Sequence, residues 1–312
     1  MTLRHLTLAL LPLALTACVT YPDISQSRSP CRMEPGGWCG FVREAAVEAW
    51  PFAVAATNAY TGDHDVFADL GTTLARLERL EIDEEAAGKG FGYELFAQYR
   101  IDEGGERKLA ARILSFRGTD FNGVTDIFYG TLRSDHIELA LAAFEAERAR
   151  PEFGDGVPWV VAGHSLGGAL ATEISVRYPE VRAYMFNTSP FYRSDGMTND
   201  VRRTVFNERG EILRRFARFD EAPAAEAFTL NCGPRKSTFA KHKIRPLADC
   251  ITWIAAYGSE EAAAVIDANA DSAMPVRKPL VECGPEDKVH PGPGYRESEP
   301  CVHRAEREAE GD

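Results

Sequence analysis

The sequence predicts an α/β fold built on a mostly parallel sheet with helices on both faces. Three observations predict it. Residues 158–162 form a short, apolar, β-branched run that suits a fully buried strand. A glycine-rich turn follows it, then an Ala/Leu-rich stretch with Leu166, Leu170, Ile174 and Tyr178 at helical spacing. Stretches 91–99 and 110–116, joined by the turn Glu103-Gly104-Gly105-Glu106, read as a hairpin, and two more short apolar strands appear at 182–187 and 202–207.

In chain order, residues 1–17 read as a signal peptide and not as part of the fold. Arg4 and His5 form a small positive start, and the apolar stretch 6–17 is too short to span a bilayer. Leu15-Thr16-Ala17-Cys18 resembles the bacterial lipoprotein signal, in which cleavage precedes a cysteine that is then lipidated. Cys18 is therefore the candidate lipidation site, and a lipid anchor is the expected route to a membrane. Val19 follows Cys18, where Asp would mark inner-membrane retention, so that resemblance points to the outer membrane. An ordinary secretory signal that happens to end in Cys is the alternative.

The seven cysteines agree with export. With Cys18 set aside, Cys31, Cys39, Cys232, Cys250, Cys283 and Cys301 remain. An even number suits disulfides in an oxidising compartment. Six cysteines allow 15 pairings; pairing each with its nearest neighbour is the simplest, and the sequence does not choose. No CxxC spacing supports a zinc site. A formal charge of −12 over 312 residues argues against nucleic-acid partners and against electrostatic adhesion to anionic lipid. Neutral ester or lipid substrates stay open, and the oligomeric state is not legible. The organisation expected is a tether over 18–44, a main domain over 45–258, and a C-terminal helix with a polar, cysteine-bearing tail over 259–312.

Residues 41–60 read as a helix interrupted near Pro51. After the hairpin, Arg117 and Asp120 read as an ion pair that holds a loop. Asp135 reads as the cap of a helix running to Arg150, with Ile137, Leu141 and Phe144 on one face.

The turn after 158–162 is Gly163-x-Ser165-x-Gly167, the nucleophile-elbow pattern. A serine at the tip of so tight a turn lifts its hydroxyl out of the fold. Strand and helix then crowd the positions two before and two after it, where only Gly fits. The first N–H groups of the helix behind it can bind a developing oxyanion. A chain this rich in glycine carries the bare pattern by chance about one time in ten; the buried strand before it and small-residue helix after it supply the specificity. Ser165 is thus the candidate nucleophile. Gly163–Gly168 (GHSLGG) together with residues 115–120 (SFRGTD) resemble the class 3, fungal-type lipases of the α/β-hydrolase fold, over roughly residues 45–258.

That resemblance implies an oxyanion hole from Thr119 and from the backbone N–H of Leu166. It also implies that residues 121–134 carry a lid or the path to an acyl pocket; a packed connecting segment is the other reading. In this fold an acid and then a histidine follow the fifth and later strands. The family's usual Asp is replaced in Asn207-Glu208-Arg209-Gly210-Glu211, where Glu211 fits best with one residue inserted, and Glu208 and Asp220 are rivals. Among the histidines, His242 stands in a loop just before a helix over 246–257, the place of the general base. It also lies between Cys232 and Cys250, whose pairing would brace it. His164 adjoins Ser165 with its side chain directed away, and His290 and His303 lie in the tail.

The expected activity is a serine hydrolase of carboxylic esters, a lipase or esterase that uses no metal or organic cofactor. Three alternatives remain. One is hydrolysis of a thioester, peptide or cell-wall ester. Another is a non-catalytic surface lipoprotein that keeps the fold as a binding module. The third is a toxin-type phospholipase delivered to rivals, against which the anchor argues, with phospholipid specificity itself still open.

Overall fold

The computed structural model describes residues 31–60, 66–118, 131–154, 156–190, 192, 200–216, 224–282, 288–289 and 299–300. Residues 1–17, Cys18, Thr119, Asp120, 121–130, Asp220, Cys283, His290, Cys301 and His303 lie outside the described residues, so the expectations placed on them stand where the sequence left them.

The sheet has seven strands: β1 (Leu74–Leu77), β2 (Tyr93–Ile101), β3 (Arg107–Phe116), β4 (Trp159–His164), β5 (Arg182–Phe186), β6 (Arg203–Glu208) and β7 (Glu226–Leu230). Their spatial order follows the sequence. β1, β2 and β3 pair antiparallel; β3 to β7 pair parallel. A separate two-stranded ribbon joins β8 (Lys288–Val289) to β9 (Glu299–Pro300). Among the described residues no helix is long and apolar enough to cross a membrane.

This order decides where the helices go. Right-handed crossovers that always step the same way put their helices on one face. Helix α3 (Thr131–Arg148) connects β3 to β4 and α4 (Leu166–Arg177) connects β4 to β5, and both supply one core, with Phe144, Leu170 and Ile174 against Leu95, Leu114 and Met185. The opposite face is left to the ends of the chain. There α1 (Gly40–Asn58) packs with α6 (Ile244–Ala255) and α7 (Glu260–Ala268), through residues such as Phe52, Val54, Ile251 and Val265. The result is the α/β-hydrolase fold: a mostly parallel sheet with helices on both faces.

Two local expectations need correction. Helix α1 runs unbroken through Pro51. Proline removes one helical hydrogen bond at a cost of about 3 kcal/mol, but every residue from Ala49 to Asn58 is buried. Burying Trp50, Phe52 and Val54 alone gains about 1.5–3 kcal/mol each. Helix α3 starts at Thr131, four residues before Asp135, because no glycine or proline separates 131 from 135. The β2–β3 pairing carries a bulge beside Gln98 and Tyr99, where Ala110 of β3 is the extra residue. Arg117 hydrogen-bonds the Gly90 carbonyl at 3.4 Å, and its expected partner Asp120 lies outside the described residues.

The N-terminal segment is folded onto the domain. Cys31 and Cys39 form a disulfide, and Trp38 is buried. Helix α1 crosses the position, 44/45, where the sequence placed the start of the domain. One carboxylate gathers three distant parts. Glu282 accepts hydrogen bonds from Trp38 Nε1 at 3.1 Å, Trp253 Nε1 at 2.7 Å and the Tyr257 hydroxyl at 2.5 Å. Burial pushes its pKa up, and the three donors pull it back. Replacing it with alanine strands buried donors at about 1–3 kcal/mol each. Glu282→Ala should therefore lower the urea-unfolding free energy by at least about 3 kcal/mol, with an unchanged m-value.

Candidate active site

The elbow is built by backbone packing. Ser165 has φ 57° and ψ −122°, a strained conformation for a residue with a side chain. A Cβ at Gly163 would lie 2.2 Å from the Gly167 carbonyl oxygen, and one at Gly167 would lie 2.2 Å from the Phe116 carbonyl oxygen. No real contact is so close, so strand β4, helix α4 and the end of β3 meet backbone to backbone. Gly168 is held as tightly, its Cβ position 2.6 Å from Thr188 Oγ1. Four hydrogen bonds hold the strained serine. Its N–H donates to the Phe186 carbonyl at 3.1 Å, and its own carbonyl accepts from Gly168 N–H at 3.1 Å, Ala169 N–H at 3.4 Å and Ser189 N–H at 3.0 Å. Leu166 opens α4, so its N–H lies in the first turn, where no helical carbonyl precedes it.

The close approach at Gly167 also brings the end of β3 beside Ser165. A Cβ at Gly118 would lie 3.0 Å from Ser165 Cβ. Thr119 is the next residue along.

Glu211 and His242 come from the segments that follow β6 and β7. Glu211 leaves β6 through a turn at Gly210, whose φ of 76° suits glycine. One of its oxygens, Oε2, accepts the Leu213 N–H at 2.8 Å and faces His242 Nδ1 at 2.8 Å. His242 ends the one-turn helix α5 (Thr238–His242), capped by Ser237. Ser165, Glu211 and His242 are each about 1 % exposed. Glu208, the rival acid, is engaged elsewhere: its carboxylate accepts the N–H groups of Cys232 at 3.0 Å and Gly233 at 2.9 Å. Cys232 and Cys250 form a disulfide that closes the loop carrying α5, the pairing that places a brace on His242. Closing a loop of this length contributes about 3 kcal/mol in the chain-entropy account.

Two further residues join the site that sequence reasoning left out. Asn187 adopts φ 42° after β5. Its amide nitrogen donates to the carbonyls of Lys241 at 3.0 Å and His242 at 3.1 Å, and its oxygen accepts the Glu208 N–H at 2.7 Å. It thus fastens the histidine loop to β6. An asparagine just past a strand is the weak signal that could have marked it, since asparagine tolerates left-handed backbone. The other is Tyr60, whose hydroxyl stands 2.7 Å from His164 Nδ1. His164 is directed away from the serine hydroxyl toward the His242 backbone, with Nε2 2.6 Å from the His242 carbonyl oxygen.

A cavity of about 430 Å³ lies nearby, walled in part by Glu208, Lys236, Lys241, Arg245, Asp249 and Leu280. Ser165, His242 and Glu211 do not line it, so it is not where Ser165 would meet a substrate.

Burial sets the electrostatics. It raises the Glu211 carboxyl to about 7, against the pull of the Leu213 and Arg214 amides, and lowers the His242 imidazole to about 4. The two groups share a hydrogen bond and so titrate as a pair. Below about 7 the pair holds an extra proton, either on the carboxyl or on the imidazole. Above it, a charged carboxylate faces a neutral imidazole, the state in which Nε2 can take a proton from a serine.

No protein-family model matches the sequence, and no curated protein is significantly similar to it. Among solved structures the chain is similar to fungal lipases. A lipase from Rhizopus microsporus var. chinensis shares 14 % identity over 55 % of this chain and 71 % of its own, with a TM-score of 0.37. A mutant form of MDLA from Penicillium cyclopium shares 13 % over 66 % and 86 % at 0.33. A triacylglycerol lipase from Penicillium expansum shares 12 % over 55 % and 72 % at 0.33. At these scores the chemistry rests on this chain's own residues.

The paired titration predicts how Ser165 reactivity follows pH. Labelling by a fluorophosphonate should be full above about pH 7 and fall as pH drops through that value. Glu211→Gln removes the carboxylate that favours the imidazolium. The fall should then move toward pH 4 and the plateau rate drop by about 10⁴. Labelling rate against pH for both proteins checks this.

Proposed function

We propose that this chain is a serine hydrolase that cleaves carboxylic esters through an acyl-enzyme, with lipid esters as the substrate class. The observation that carries the reading is the buried Glu211–His242 pair at 2.8 Å, whose histidine carbonyl is bonded by His164, the neighbour of a serine held at φ 57°. Ser165 Oγ attacks the ester carbonyl carbon while His242 Nε2 takes its proton. Glu211 holds Nδ1–H and stabilises the imidazolium. The carbonyl electrons move onto oxygen, which is met by the Leu166 N–H and by Thr119. Collapse expels the alcohol, protonated by His242. Water, deprotonated by His242 in turn, then releases the acid and restores Ser165. Each oxyanion donor is worth about 2.7–4 kcal/mol. Lipid esters are proposed because GHSLGG and SFRGTD together resemble the class 3 lipases.

The test uses the oxidised protein with Ser165→Ala beside it. The wild type should take up one fluorophosphonate and hydrolyse p-nitrophenyl esters of several chain lengths, and Ser165→Ala should do neither. A folded wild type that stays unlabelled even with detergent or lipid would overturn the reading.

We further propose that the chain is exported and anchored by lipid on Cys18 at the cell envelope, with Val19 favouring the outer membrane. Support comes from the 15–18 motif and from the Cys31–Cys39 and Cys232–Cys250 disulfides. Metabolic labelling with a fatty-acid analogue should mark the wild type and not Cys18→Ser; equal labelling of both would refute the anchor.

A further inference from the structure

The hydrogen bonds around His164 have only one consistent direction. The His242 carbonyl can only accept, so His164 Nε2, 2.6 Å away, carries a proton and donates it. His164 is fully enclosed, and burial together with the neighbouring His242 holds it well below the usual histidine range. It therefore carries a single ring proton, and Nδ1 is a bare lone pair. The Tyr60 hydroxyl, 2.7 Å from Nδ1, must donate to it. Having given its proton, the Tyr60 oxygen accepts the Gly118 N–H at 3.0 Å. The wiring runs Gly118 N–H to Tyr60 O–H to His164 Nδ1, and from His164 Nε2–H to the His242 carbonyl.

This line joins four places that meet only in the folded chain. Gly118 is the last described residue before Thr119. Tyr60 follows α1, on the far face of the sheet. His164 ends β4, next to Ser165, and His242 ends α5. The crossing passes beside the nucleophile, since a Cβ on Gly118 would lie 2.7 Å from the Tyr60 oxygen and 3.0 Å from Ser165 Cβ. That double approach is a physical reason for glycine at 118.

We infer that Tyr60, acting through His164, is a positioning residue that sets the histidine loop and the oxyanion strand at a fixed spacing on either side of Ser165. The inference rests on the serine-hydrolase reading. His164 is not a second base in this arrangement: both ring nitrogens are engaged, one as donor and one as acceptor. Its contribution is to keep the His242 backbone in place, so that Nε2 of His242 rather than any atom of His164 meets the serine hydroxyl. A misplacement of about 1 Å can cost about 100-fold in rate.

The test compares Tyr60→Phe, His164→Gln and His164→Leu with the wild type and Ser165→Ala, all as the oxidised full chain. Glutamine keeps an N–H donor for the His242 carbonyl and an oxygen for the Tyr60 hydroxyl, whereas leucine fills the site and offers neither. On a soluble p-nitrophenyl ester, Tyr60→Phe and His164→Leu should lower kcat about 10–100-fold with KM within about twofold, and His164→Gln should stay within about fivefold of wild type. Melting temperatures separate this from loss of fold. Equal losses for Gln and Leu, or a Tyr60→Phe kcat within about twofold of wild type, would overturn the inference.

Nitrogen-15 spectra of the wild-type imidazoles test the wiring independently of activity. His164 should show a protonated Nε2 and an unprotonated Nδ1 from about pH 5.5 to 8, the range in which an ordinary histidine titrates; the opposite tautomer, or titration in that range, would refute it. A wild type with this spectrum but no esterase activity would sink the hydrolase reading and leave the wiring intact.

Discussion

The left-handed backbone at Ser165 is the constraint from which the rest of the site is arranged. A non-glycine residue there stores about 1–3 kcal/mol. Four backbone hydrogen bonds, each worth about 1 kcal/mol net, offset it. They come from β5, from α4 and from the turn at Ser189, so the strain persists only while strand, helix and turn are all in place. The glycines at 163 and 167 let these elements approach within backbone contact. The same approach draws the end of β3 against Ser165, so that Gly118 lies beside it. One strained residue thus explains why four chain segments meet where they do.

The sheet order accounts for the other half of the design. Crossovers that step one way cover only one face with α3 and α4. The second face needs α1 and α6, which belong to the two ends of the domain. Tyr60, at the exit of α1, and His242, just before α6, are delivered to the site by those covering helices. The elements that close the core therefore also carry functional groups, and packing and chemistry are coupled there through His164.

Much of this was legible in the sequence wherever the cause is local. The elbow is a steric demand of consecutive residues, so GHSLGG shows it directly. Strands β4 and β5 are buried and mostly apolar, so their runs stand out, and β6 is buried around Val205 and Phe206. β7 did not stand out, because its side chains are mostly exposed and the segment shows no alternation. β1 is four residues long and was equally silent. Glu211 could be named only among rivals, since an acid on a loop has no periodicity; what singles it out is the turn at Gly210 and the reach of its extra methylene to His242. Pro51 misled because propensity is local, while the burial that overrides it comes from α6 near the other end of the domain. Tyr60 had no readable pattern and Asn187 only its place just past a strand, because their partners lie 21 to 104 residues away in sequence.

Glu282 has a meaning for the order in which the molecule can be made. Its partner Trp38 lies 244 residues earlier, and α1, which packs on the sheet through contacts such as Phe52 on Tyr184, gains its outer cover only from α6. While the chain is being synthesised, the first helix is therefore covered on the sheet side alone until α6 emerges. Loop closure over so long a span comes late and slowly. The hydrogen-bonded knot at Glu282 can therefore close only once residue 282 has emerged, so a shorter nascent chain lacks the tie between its first helix and α6.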